Sequence, residues 1–166
     1  MSSNMYMKFE GPTIGSSTAP GHENEIEILT WSHGFAQPAS ARRDFAAPHT
    51  LEQATHQNFS FTKYLDSATN ELIRYNWSGK LIKKATLRCY RADGVGDTKE
   101  HLYLEVIMEN VLIADLKVSG GASDLPVENV TLDYGIVQYS YKDQKQVASS
   151  ADAKPPKHNL MTKTVE

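Results

Sequence analysis

Histidine is the side chain most often used to ligate metals and carry protons near neutral pH, so the six histidines are the first place to look for chemistry. His22, His33, His49, His56, His101 and His158 are scattered along the chain. None forms the i, i+4 helical pair of a zinc protease, and none stands two residues from another on a strand. His49 and His56 fall in or beside one long irregular stretch and could meet in space, but solvated or hydrogen-bonded structural roles are expected of them rather than a metal site. Cys89 is the only cysteine, which rules out an internal disulfide and leaves a Cys-based zinc site possible only if subunits share it. It alternates with Leu87 and Ala85 and reads as a small core residue. Glu25, Glu27 and Glu105 read as solvent faces of strands, and nothing marks a carboxylate pair for acid–base work. No Gly-x-Ser-x-Gly elbow, phosphate-cradling loop or dinucleotide fingerprint is present. Gly94-Val95-Gly96 lies between two strands and reads as a hairpin turn. These observations favour a structural or binding role, with no enzyme activity and no cofactor expected.

The elements around these residues are mostly strands. Val127 to Lys142 is the most informative, because its apolar face changes halfway along. Val130, Leu132, Tyr134 and Ile136 are apolar at even positions, and then Val137, Tyr139 and Tyr141 at odd ones. A strand alternates faces with period two, so different faces must be buried at its two ends. Gly135 sits at the changeover, where a bend meets least steric resistance. Such a strand suits a closed or nearly closed barrel, or one that packs at one end on a neighbouring subunit. Met5, Met7 and Phe9 open a short first strand, and Glu25 to Phe35 gives a second, with Ile26 and Ile28 on one face. Gln57 to Tyr64 is a third. A helix is predicted over Ala68 to Trp77, capped from among Asp66, Ser67 and Thr69, with Leu72, Ile73 and Trp77 as its apolar face and Gly79 at its end. Strands return at Ile82 to Arg91 and His101 to Val118, the latter interrupted by a turn or bulge at Asn110. Residues 1–142 read as one domain with a long loop at about 36–56, and 143–166 as a polar C-terminal tail. The fold class is mainly β, antiparallel, with one helix.

Composition narrows the partners. The chain has 166 residues, 40 % of them apolar and 22 % charged, and a formal charge of −3. That balance is ordinary for a globular protein and gives no footprint for nucleic acid, since Arg42-Arg43 is too small to make several phosphate contacts. No run is long and apolar enough to span a bilayer, and no classical signal peptide is visible at residues 1–11, so a cytoplasmic start is expected. Any export would use a route that does not read such a signal.

Four stretches then carry a resemblance. They are Ile26-Glu27-Ile28-Leu29-Thr30-Trp31-Ser32-His33-Gly34, and Phe59-Ser60-Phe61-Thr62-Lys63-Tyr64-Leu65-Asp66 with Ser78-Gly79-Lys80. Tyr103-Leu104-Glu105 through Val111-Leu112-Ile113 is the third, and Glu128-Asn129-Val130-Thr131-Leu132 through Gln138-Tyr139-Ser140-Tyr141 the fourth. In this order and spacing the chain resembles the haemolysin-coregulated protein family, the tube subunit of bacterial type VI secretion. His33 departs from the second aromatic that many members carry after Trp-Ser. The loop from Ala36 to Thr55 follows no family pattern.

The resemblance implies an antiparallel two-sheet β-barrel with one flanking α-helix, assembling as a homohexameric ring. Rings would stack into a tube capped by a valine–glycine-repeat spike protein and driven by a contractile sheath, with effector proteins in the lumen. It further implies a protein of the bacterial cytoplasm that is then secreted through type VI secretion. Ser32 aligns with a lumen-facing, cargo-contacting position; a plain outward polar residue is the alternative. Trp31, Tyr139 and Tyr141 are candidates for core or ring-interface packing, with cargo contact a second role for Trp31. Arg42, Arg43 and Phe45 are candidate stacking contacts in the loop, which a solvated loop would explain as well. Lys154 to Glu166 would either reach an adjacent subunit or stay disordered. A phage-type tail-tube protein and a monomeric ligand-binding β-barrel are the competing functions.

Overall fold

The structure is a computed structural model that describes residues 4–38, 54–92, 100–142 and 154–166. The fold is mainly β with a single helix among the described residues, and all strand pairs are antiparallel. The strands are β1 (Asn4–Glu10), β2 (Ile26–Glu27), β3 (Thr30–Ser32), β4 (Phe35–Ala36), β5 (Thr55–His56) and β6 (Phe59–Tyr64). After helix α1 (Thr69–Ser78) come β7 (Ile82–Ala92), β8 (Glu100–Ser119), β9 (Val127–Asp133), β10 (Ile136–Tyr141), β11 (Lys157–Asn159) and β12 (Thr164–Val165).

One sheet runs β12-β11-β10-β8-β7-β1-β2, and a second ladder runs β8-β9-β6-β3. The two share β8. At their far edges they are joined by continuous chain, because β2 runs into β3. Across that junction the Ile28 N–H donates to Met5 O in the first sheet, and the next amide, of Leu29, donates to Thr62 O in the second. The result is a barrel-like enclosure around Met7, Phe9, Ile26, Phe59, Phe61, Leu87, Met108 and Leu132.

The expected change of face at Gly135 is where the sheet turns its corner. Val130, Leu132 and Tyr134 are buried before it and Val137 after it. β9 pairs with β6 and with the second half of β8, whereas β10 pairs with the first half of β8 and with β11. β8 makes the same switch alongside: Val106 and Met108 are buried before Asn110, Val111 and Ile113 after it. Asn110 is bent rather than turned, with φ at 54°, a left-handed conformation that asparagine tolerates better than most side chains. The Gly135 N–H donates to Glu109 O at 3.0 Å, so the two bends lie side by side.

Four readings need correction. The strand expected over Glu25 to Phe35 is three short strands in three pairings. Alternation shows which way a side chain points, but not which sheet the backbone has joined. Trp77 is not on the core face of α1. Leu72 and Thr69 are buried, whereas Trp77 is 84 % exposed, and the Asn76 side-chain amide donates to Ile113 O to fix the helix on β8. Glu25 is buried rather than solvated, close to His22 (2.9 Å) and Arg88 (3.6 Å). The segment read as a polar tail also differs: within its described part, residues 154–166, β11 and β12 extend the sheet from β10. Strands this short and polar are held by backbone pairing to an existing edge, which leaves little apolar alternation in the sequence.

Candidate functional site

Asp66 prepares the start of α1 from three residues ahead. Its carboxylate accepts from the Ala68 N–H (2.9 Å), its own N–H donates to Thr69 Oγ1, and Gly79 ends the helix with φ at 63°. The same carboxylate accepts from Lys63 Nζ at 2.7 Å, and Lys63 also reaches Glu128 Oε1 at 2.5 Å and Tyr64 O at 2.9 Å. Lys63 is 0 % and Glu128 1 % exposed, and the two face each other across the β6–β9 ladder. The Phe-Thr-Lys-Tyr-x-Asp and Glu-Asn-Val-Thr-Leu segments therefore meet as one buried ionic joint. Its lysine holds the Asp66 carboxyl below the usual carboxylate range against the opposing effect of burial, helped by the Ser16 hydroxyl. A cation this thoroughly neutralised offers nothing to a substrate. The joint secures strand against strand.

The second polar cluster was not legible as a unit. His33 Nδ1 meets the Tyr139 hydroxyl and its Nε2 the Tyr134 hydroxyl at 2.6 Å. Tyr134 also meets His56 Nδ1 at 2.8 Å, and His56 Nε2 meets His158 Nδ1 at 2.7 Å. Burial pushes the His33 imidazole down to about 4, aided by the neighbouring His56. Burial, then His158, lowers His56 as well. Burial raises both phenols, Tyr139 to about 12. These shifts favour the uncharged forms of His33, His56, Tyr134 and Tyr139. An apolar groove of about 280 Å³ lies beside it, lined by Phe35, Val137, Tyr139, Pro156 and Val165. The anticipated partner of His56, His49, lies outside the described residues.

Of the residues singled out from sequence, Ser32 is exposed on β3 opposite Ser60. Trp31 stacks on Phe59 (5.7 Å between ring centroids) and packs on the core. Tyr139 is half-buried in the histidine cluster, and Tyr141 is 63 % exposed. Arg42, Arg43 and Phe45 lie outside the described residues. What the sequence did not show is which large apolar side chains stay uncovered, among them Trp77 and Leu81 around the end of α1, and Phe35 and Val165 by the groove. Among the described residues no group of His, Cys, Asp and Glu is arranged to hold a metal ion. Cys89 is buried, and burial raises its thiol above the ordinary value, so it is no ready nucleophile.

Two sheets sharing a bent strand, one flanking helix and uncovered apolar faces define a structural subunit with a barrel-like core. A profile described as "Type VI secretion system effector, Hcp" matches residues 6–141. Protein hcp1 of Pseudomonas aeruginosa is 32 % identical over 146 residues, covering 87 % of this chain and 86 % of that protein. Among solved structures, one described as a type six secretion system protein superposes with a TM-score of 0.81 at 22 % identity, covering 99 % of this chain and all of the other. Hcp1 from Salmonella typhimurium gives 0.76 at 23 % identity, with both chains covered in full. The chain belongs to the Hcp family and is a non-enzymatic structural component of the type VI secretion tube, secreted by that system.

Proposed function

We propose that the chain forms homohexameric rings that stack into a hollow conduit, carry effector proteins in the lumen and are expelled with a valine–glycine-repeat spike protein when a contractile sheath contracts. One observation carries the ring: large apolar side chains are left uncovered at separate places. Trp77 and Leu81 flank the end of α1, and Phe35 and Val165 border the groove beside β10 and β11. A cyclic ring is built head to tail, so two different patches of one subunit must meet. Apolar side chains on both patches gain from leaving water together. Family membership favours this reading over a phage-type tail tube, and the uncovered faces weigh against a monomeric ligand-binding barrel.

Ser32 is the cargo-facing residue in this reading, and its exposure on a β3 that ends in hydroxyl side chains suits a lumen that lets proteins pass without gripping them. Trp31 serves packing, Tyr141 faces a neighbouring subunit, and Arg42, Arg43 and Phe45 serve stacking. The protein starts in the bacterial cytoplasm and leaves through the type VI system; neither nucleic acid nor membrane insertion is part of its work. Among the described residues no helix is long and apolar enough to cross a membrane.

Native mass spectrometry and negative-stain microscopy of the purified protein test the reading. Six-fold rings with an open centre are expected at micromolar concentration, and a dominant monomer would overturn it. Trp77→Arg should weaken the ring without unfolding the subunit. Ser32→Arg should leave rings intact while reducing cargo retention; loss of rings would place Ser32 at an interface instead.

A further inference from the structure

The tyrosine–histidine chain ties together parts of the molecule that are distant in sequence. His33 stands between β3 and β4, His56 ends β5, Tyr134 and Tyr139 flank and form β10, and His158 is the central residue of β11. Both ring nitrogens of His33 and of His56 are engaged, each by a tyrosine hydroxyl or by another imidazole. Of the charged groups beside it, Asp133 acts on Tyr134, and Lys157 lines the groove.

A count of protons shows what this arrangement tolerates. With every histidine neutral, the four contacts form one directional relay: Tyr139 donates to His33, His33 to Tyr134, Tyr134 to His56, and His56 to His158. The reverse direction satisfies the same atoms. One added proton is accommodated at any of the three histidines, because that ring becomes a double donor and the links on either side point away from it. Two added protons break the relay wherever they sit. On His56 and His158 they set N–H against N–H across 2.7 Å. On His33 and His56 both rings donate to the Tyr134 oxygen, whose own hydrogen then has no ring nitrogen to meet. On His33 and His158 the single hydrogen of His56 must either oppose His158 or abandon its acceptor role toward Tyr134.

We propose that this relay is an acid-released clasp on the C-terminal strands: it absorbs one proton, and the second detaches β11 and β12 from the sheet. The link with least structure behind it is His56–His158, because β11 is three residues long and β12 two. β10, by contrast, is held along its length by β8. Burial lowers both His33 and His56, His33 to about 4, which places the working range on the acid side of the ordinary 6.5. Such a device converts a change of two protons into a change of shape at one edge of the subunit, next to the apolar groove.

Hydrogen exchange on the intact protein, read by mass spectrometry at pH 7.5 and 4.5 and corrected for intrinsic exchange rates, tests the clasp. Peptides covering 154–166 should lose protection at least tenfold at the lower pH, while peptides from β7 keep theirs. In His56→Gln, and separately in His158→Gln, no pair of facing imidazolium ions can form, so the acid-induced loss should disappear. Unchanged protection of 154–166 in the wild-type protein would overturn the proposal. So would an equal loss in β7, or a loss that persists in both variants.

Discussion

Replacing Lys63 with methionine removes the cation from the ionic joint while roughly keeping the volume of its stem. Glu128 is then left 1 % exposed with no counter-charge across the ladder, and its Oε2 lacks a hydrogen-bond partner among the described residues even in the wild type. Asp66 loses its 2.7 Å contact as well, and with it the support for the turn that starts α1. Removing one partner of a buried pair destabilises by about 3–5 kcal/mol, because the remaining charge is stranded in a poorly polarisable interior. For a chain of this size that is roughly 6–20 °C in melting temperature. Urea and thermal unfolding should be compared at one protomer concentration, since assembly adds its own stabilisation. The double variant Lys63→Met with Glu128→Leu supplies the decisive arm. With both charges gone there is no uncompensated ion, so the pair should be markedly less damaging than Lys63→Met alone. A loss below about 1 kcal/mol for Lys63→Met, or a double variant as unstable as the two singles added together, would refute this account of the joint.

Other outcomes follow from single positions. At Gly15 a Cβ would lie 2.0 Å from the backbone oxygen of Asn24, which cannot swing aside, whereas at Gly135 it would meet the flexible end of Met161 at 3.3 Å. Gly15→Ala should therefore lower stability by about 2 kcal/mol or more, and Gly135→Ala by less than about 1 kcal/mol, both by urea denaturation. Asn110→Val forces a β-branched residue to φ near 54° and should lose about 1–2 kcal/mol, while Asn110→Gly should be neutral or slightly stabilising. His33 has a folded-state value of about 4 against an ordinary 6.5, so the unfolded chain takes up its proton first as the pH falls. Stability should be full above pH 6.5 and decline by about 3 kcal/mol on the way to pH 4. Asp66 is lowered instead, so its contribution is present above 3.8 and lost as the pH falls further. His33→Gln should flatten the first decline and leave the second, as measured by midpoints across the pH range.

Much of the fold was readable because it depends on local pattern. The change of apolar phase at Gly135 announced a strand shared between two environments, and the structure assigns its halves to two ladders. Asn110, set inside a long apolar run, marked the matching bend in β8. The helix, its leading aspartate and its closing glycine were also written locally, since caps act within one turn. The inward burial of Glu25 was not, because an alternating glutamate looks the same whether water or an arginine awaits it. Nor was the outward set of Trp77, which depends on which side of a ten-residue helix β8 happens to meet.

The sequence alone therefore determined most of the longer strands, the two bends and the absence of any recognisable catalytic motif, and through Phe-Thr-Lys-Tyr-x-Asp and Glu-Asn-Val-Thr-Leu it pointed to the family. Only the tertiary structure brought Lys63 to Glu128, and His33, Tyr134, His56 and His158 to one another. It alone made strands of residues in the last thirteen positions. The reason is physical: periodicity records how each residue meets its immediate surroundings, whereas a partner a hundred residues away is chosen by the register of whole strands.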